Sequence, residues 1–174
     1  MTVALTGFMA CGKSTFGRAA AQILGWRFID LDTCITERYG SIREIFEQGG
    51  EPLFRLRESE ILSEQLESEG NVLLALGGGT ILDRGNLDLI RAKARIVWID
   101  TSFDIILSEI SNSERPLVKE KSTEEIRTLY NSRRPLYSSA ADVTFVVDDT
   151  DYRAVITRLA ETVSRMADHQ SRRP

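Results

Sequence analysis

Gly7-Phe8-Met9-Ala10-Cys11-Gly12-Lys13-Ser14 has the spacing G-x-x-x-x-G-K-S, and everything else in the chain is read outward from it. Thr2 to Thr6, ahead of it, is short, β-branched and apolar, as a buried strand should be. Behind it, Phe16, Ala19, Ala20, Ile23 and Leu24 recur at helical spacing. Strand, glycine turn and helix form the setting in which this octapeptide binds phosphate. Gly7 and Gly12 allow a tight turn that brings backbone N–H groups onto phosphate oxygens. The helix N-terminus adds its partial positive charge. Lys13 can reach the β- and γ-phosphates, and the Ser14 hydroxyl can ligate Mg²⁺.

The chain of 174 residues is about one domain long, so residues 1–174 are expected to share one core. A net charge of −4 argues against a nucleic-acid binder, whose footprint would be basic. No apolar run reaches the length of a membrane span. Met1-Thr2-Val3 runs directly into the first strand, so no signal peptide is expected. Cys11 and Cys34 do not make a disulfide framework, and reduced thiols in a cytoplasmic protein are the expectation. The single histidine, His169, argues against a Cys–His metal site.

Further strands are expected at 27–30, 71–76, 96–99 and 143–147. Helices are expected from Asp32 to Tyr39, from a capping box at Ser41-Ile42-Arg43-Glu44 to Gln48, and from Pro52 to about Glu69. The last of these has Leu53, Leu56, Ile61, Leu62 and Leu66 as its apolar positions. Gly49-Gly50 is expected to break the chain between the second and third. Others are expected over 86–93 and 102–110, from a second capping box at Ser122 towards Tyr137, and from Asp151 to Ala167. Residues 111–121 are polar, carry Pro116 and read as a mobile loop; residues 169–174 read as a frayed tail. Alternating strands and helices predict an α/β domain with a five-stranded, mainly parallel sheet in three α/β/α layers. Asp30-Leu31-Asp32 and Gly77-Gly78-Gly79 fall at strand carboxyl ends, where open α/β sheets bind ligands.

Taken in order, these pieces resemble the shikimate kinase family over nearly the whole length. The matching residues are the loop with Thr15, Phe16 and Gly17; Asp30-Leu31-Asp32; Ser41-Ile42 with Ile45-Phe46; Gly50-Glu51 with Phe54-Arg55 and Glu58; Gly77-Gly78-Gly79; Arg115-Pro116-Leu117; and Arg133 with Pro135-Leu136-Tyr137 and Ala141-Asp142. The resemblance implies a P-loop fold of the nucleoside-monophosphate-kinase type. It implies transfer of the γ-phosphoryl group of ATP to the 3-hydroxyl of shikimate, in aromatic amino-acid biosynthesis, with Mg²⁺ as cofactor. Ala10, Cys11, Gly12, Lys13, Ser14, Thr15 and Arg115 are then nucleotide contacts, and Arg153 is a weaker one. Ser14 and Asp30 attend the metal. Asp32, Arg55, Gly77, Gly78, Gly79 and Arg133 meet shikimate, with about 32–60 as the substrate-binding region and about 111–121 as a lid. Lys13, Asp32 and Arg115 are the catalytic set, and the enzyme is expected to act as a monomer.

Several points stay open on sequence. Asp32 also suits the N-cap of the helix that follows it. Arg55, with Arg57, Glu58 and Glu60 nearby, also reads as part of a solvated charge row. Glu58, three residues after Arg55, can steady that side chain. Arg134 competes with Arg133, which the spacing to Pro135 favours. Ala10 stands where the family has glycine; a negative φ there is expected, which would make alanine harmless. Ser108 replaces a family arginine. A gluconate-type or nucleoside-monophosphate kinase, or an ATP-binding module without transfer activity, are the competing readings.

Overall fold

The computed structural model describes residues 1–111, 122–148 and 151–171, with side chains up to 168. Its strands are β1 (Thr2–Thr6), β2 (Arg27–Asp30), β3 (Val72–Ala75), β4 (Ala94–Thr101) and β5 (Val143–Val147). They form one sheet in the order β2-β3-β1-β4-β5, with every pairing parallel. β1 and β3 are buried at every position, as a central parallel strand covered on both faces requires. The helices are α1 (Lys13–Leu24), α2 (Leu31–Tyr39), α3 (Ile42–Leu66), α4 (Arg84–Lys93), α5 (Phe103–Ser111), α6 (Thr123–Ala140) and α7 (Tyr152–Ser171). α1 packs on β2, β3 and α7, while α4 packs on β4 and α3, and α6 on β4. Right-handed crossovers that leave β1 in one direction and return in the other put these two groups on opposite faces. Among the described residues no helix is long and apolar enough to cross a membrane.

Some expectations need correction. β4 is twice the expected length, because β1 and β5 together offer it backbone partners from Ala94 to Thr101. Ile23 and Leu56 are 60% and 61% exposed, whereas Gly17 and Ala21 join Phe16 and Ala20 on the buried face of α1. The break at Gly49-Gly50 narrows to one residue, Gly50 (φ 65°, ψ −162°), and helical geometry resumes at once. Pro52 falls in the first turn after it, where a missing N–H has little cost. That helix stops at Leu66 rather than at Glu69. A 3₁₀ turn over Thr80–Leu82 follows the glycines, and Asp83 caps α4 two residues early by accepting from Asn86 N–H. α7 continues to Ser171, so 169–171 are helical backbone rather than a frayed end. Of the expected lid, Ser111 closes α5; the remainder, with Arg115 and Pro116, lies outside the described residues, as do 172–174. Both capping boxes are present: Ser41 and Ser122 each accept from the N3 backbone while Glu44 and Glu125 accept from the N-cap N–H.

Candidate active site

The carboxyl end of β1 runs into the phosphate loop, and α1 begins at Lys13. Gly12 sits at φ 94°, and a Cβ there would lie 2.2 Å from the Phe16 ring, so only glycine fits. No side chain caps α1, and its first turn carries no acid, which leaves an uncompensated helix N-terminus facing the cleft. The Lys13 ammonium folds over the loop, donating to the carbonyls of Gly7 and Phe8, each at 2.9 Å. Cys11 is buried, and Thr101 donates to its carbonyl at 2.8 Å, which ties the loop to the end of β4.

Ala10 departs from expectation. Its φ is +58°, the only left-handed conformation at a described residue other than glycine. The Cβ clash with the following carbonyl costs an alanine there roughly 1–2 kcal/mol. Replacing it with glycine removes that strain but returns about 0.4–1 kcal/mol of freedom to the unfolded chain. Ala10→Gly is therefore expected to stabilise the protein by up to about 1.5 kcal/mol, raising Tm by a few degrees. A melting curve that moves down instead would show that the alanine conformation is not strained.

Asp30 and Asp32 meet the same cleft from different elements. Asp30 ends β2 and is itself the N-cap of α2, accepting from the Thr33 N–H at 3.2 Å. Asp32 stands in the first helical turn, so the cap role considered for it belongs to Asp30. The other Asp30 oxygen accepts from the Ser14 hydroxyl at 2.5 Å. A hydroxyl and a carboxylate joined at a phosphate loop are hard oxygen donors of the kind that would suit Mg²⁺. Among the described residues no group of three or more His, Cys, Asp or Glu side chains is placed to hold a metal ion.

The glycine loop after β3 is where the other half of the site converges. A Cβ on Gly77 would lie 3.0 Å from Asp32 Oδ1 and 2.8 Å from Glu58 Oε1; one on Gly79 would lie 2.6 Å from an Arg55 Nη2. Arg55 thus lies flat against the loop, and any side chain on Gly79 would dislodge it. Glu58 is fully buried, with both oxygens used: Oε2 accepts from Arg55 at 2.6 Å and Oε1 from the Thr80 hydroxyl at 2.6 Å. Burial works against the Arg55 charge, but the bonds to Glu58 and Glu51 outweigh it and hold the guanidinium pKa above its ordinary value. From α6, Arg133 donates to the Gly78 carbonyl at 3.3 Å, whereas Arg134 turns away to Asp100 at 2.6 Å. Of these two neighbours, Arg133 faces the glycine loop and Arg134 does not.

A cleft of about 230 Å³ runs from the phosphate loop to Asp30, Asp32 and Gly78 on one side and to Ile105, Glu109 and Tyr152 on the other. Arg153 is exposed and does not line it; its neighbour Tyr152 does, with its hydroxyl donating to Glu109 at 2.9 Å and its ring edge against Phe16. Sequence reasoning assigned no role to Tyr152, Glu109, Thr80 or Tyr137. The buried Tyr137 hydroxyl donates to the Gly78 carbonyl at 2.6 Å, and burial pushes its pKa up to about 12, so it stays a neutral donor. Tyr137 was visible beside Pro135 and Leu136; the signal left unread was that a buried tyrosine tip needs a polar partner.

The family model for shikimate kinase matches residues 9–164. The chain belongs to the shikimate kinase family. A shikimate kinase of Actinobacillus pleuropneumoniae is 36% identical over 165 residues, spanning 93% of this chain and 95% of that protein. Among solved structures, the shikimate kinase of Bacteroides thetaiotaomicron superposes with a TM-score of 0.86 at 29% identity, covering 94% of this chain and 98% of that one. That of Acinetobacter baumannii, solved in complex with shikimate, gives 0.84 at 30% identity, covering 99% and 95%. Family membership makes this chain an ATP-dependent kinase acting on an alcohol group, and the P-loop α/β fold described above is the fold of these relatives.

Proposed function

We propose that this chain transfers the γ-phosphoryl group of Mg-ATP to the 3-hydroxyl of shikimate, giving shikimate 3-phosphate and ADP for aromatic amino-acid biosynthesis. The observation that carries this is that one cleft joins the phosphate loop to Asp32 and Gly78, in the glycine turn against which Arg55 lies at Gly79 and Arg133 at Gly78. A phosphate donor and a carboxylate-bearing acceptor are thereby held end to end, and positioning of that kind supplies much of the catalysis in phosphoryl transfer. In this reading Arg55 and Arg133 hold the acceptor's carboxylate, since a guanidinium fork orients it as well as binding it. Asp32 orients the acceptor hydroxyl and takes its proton. Lys13 and the N-terminal amides of α1 hold the phosphates. Ser14 and Asp30 would hold Mg²⁺, which supplies neutralisation of the charge on the phosphoryl oxygens. Tyr152, Phe16 and Glu109 form the distant end of the cleft, where the nucleoside would lie. Arg115 is assigned by resemblance to the transferring phosphoryl group, and 111–121 to a lid over it.

A coupled assay for ADP release tests the reading directly. ADP formation is expected only when shikimate is supplied with Mg-ATP, and not with gluconate or a nucleoside monophosphate. Release driven equally well by those acceptors would reassign the substrate. Release independent of any acceptor would make the chain an ATPase.

A further inference from the structure

Arg55 has two acidic partners that differ in every respect. Glu58 is buried and uses both oxygens. Glu51 is exposed, and a single oxygen of it accepts from both Arg55 Nε and Nη2, at 3.3 and 3.2 Å. Nε and Nη2 form one of the forks by which a guanidinium takes a carboxylate in two parallel bonds. Glu51 fills that fork poorly, with one oxygen on two long bonds where a ligand carboxylate would supply two oxygens on shorter ones.

Resting on the reading above, we infer that Glu51 is a displaceable internal competitor: it occupies the carboxylate fork of Arg55 and must leave when the acceptor's carboxylate binds. The fold gives it somewhere to go. Glu51 follows Gly50, the one residue of α3 outside helical geometry, so it stands in the first turn of the segment that carries Arg55. An acid at a helix N-terminus keeps a favourable field without any partner side chain. Glu58, itself anchored by the Thr80 hydroxyl, meanwhile holds the guanidinium through Nη1, so releasing Glu51 frees the fork without freeing Arg55. An exposed ion pair contributes at most about 1 kcal/mol, so the competition raises the acceptor's Kd by about two- to fivefold.

Calorimetry on the full chain compares wild type with Glu51→Gln and Glu51→Ala, using shikimate and its methyl ester, which lacks the carboxylate charge. Both variants are expected to bind shikimate about two- to fivefold more tightly, with no gain for the ester. Unchanged or weaker shikimate binding by variants that melt like wild type would make Glu51 an orienting partner and overturn the inference. An equal gain for acid and ester would also overturn it, because the effect would not run through the fork. If wild type itself bound no shikimate, the functional reading would fall and the inference with it, an outcome distinct from wild-type binding without a gain in the variants.

Discussion

Lys13→Ala is expected to lower turnover by about 10²–10³-fold and to weaken Mg-ATP binding, in a protein that still folds. The rate estimate follows from losing one preorganised cationic donor aimed at developing charge. In the proposed reading that donor is prepared in advance. Its ammonium already lies within the loop, 2.9 Å from the carbonyls of Gly7 and Phe8, so it need only exchange these acceptors for phosphate oxygens. The cost to the fold is small by comparison. The lysine is only part-buried, but the two carbonyls it leaves belong to the buried residues Gly7 and Phe8, so stability should fall by about 1–3 kcal/mol. Calorimetry with Mg-ATP and steady-state rates, read beside a melting curve, check all three quantities. A folded variant with unchanged affinity and turnover would falsify the loop's assigned chemistry.

The loop, the parallel sheet and the strand-end acids were legible because local spacing encodes them. G-x-x-x-x-G-K-S fixes a turn between a strand and a helix, and continuous apolar runs such as 72–76 fix central strands. The arginine pair was legible only through the family match, since a surface charge row looks the same until the fold buries Glu58 beneath it. What stayed hidden depends on long-range contact. Thr80 and Glu58 are 22 residues apart in sequence, and Tyr137 and Gly78 are 59 apart, so no periodicity connects them. The φ of Ala10 was misjudged for a related reason. Alanine's own preference is for negative φ, but the loop's closure between β1 and α1 overrides it. Likewise the period of 3.6 located α1 without fixing which edge of its apolar stripe meets the sheet, which is why Ile23 faces solvent while Gly17 packs on Leu5 and Phe28.

Asp32→Asn should separate chemistry from folding more cleanly than the sequence suggested. Asp30, not Asp32, accepts the Thr33 N–H and caps α2, so the substitution leaves the cap untouched. What it removes is a negative charge in the first helical turn, worth about 0.3–1 kcal/mol through the helix dipole. The shape is nearly unchanged, so the packing of the side chain against Gly77 survives. Turnover is another matter. The carboxylate lines the cleft shared by the phosphate loop and Gly78, and the proposed reaction has it align the acceptor hydroxyl and take its proton. An amide cannot take that proton at neutral pH, and general-base loss alone corresponds to about 10²–10⁴-fold in rate. If Asp32 were only a dipole partner for α2, the asparagine variant would instead turn over near normally and melt slightly lower. The expected result is therefore a Tm within about 4 °C of wild type with kcat reduced at least about a hundredfold. A folded variant turning over shikimate within about threefold of wild type would remove Asp32 from the catalytic set, because even the weak end of a general-base effect exceeds that margin.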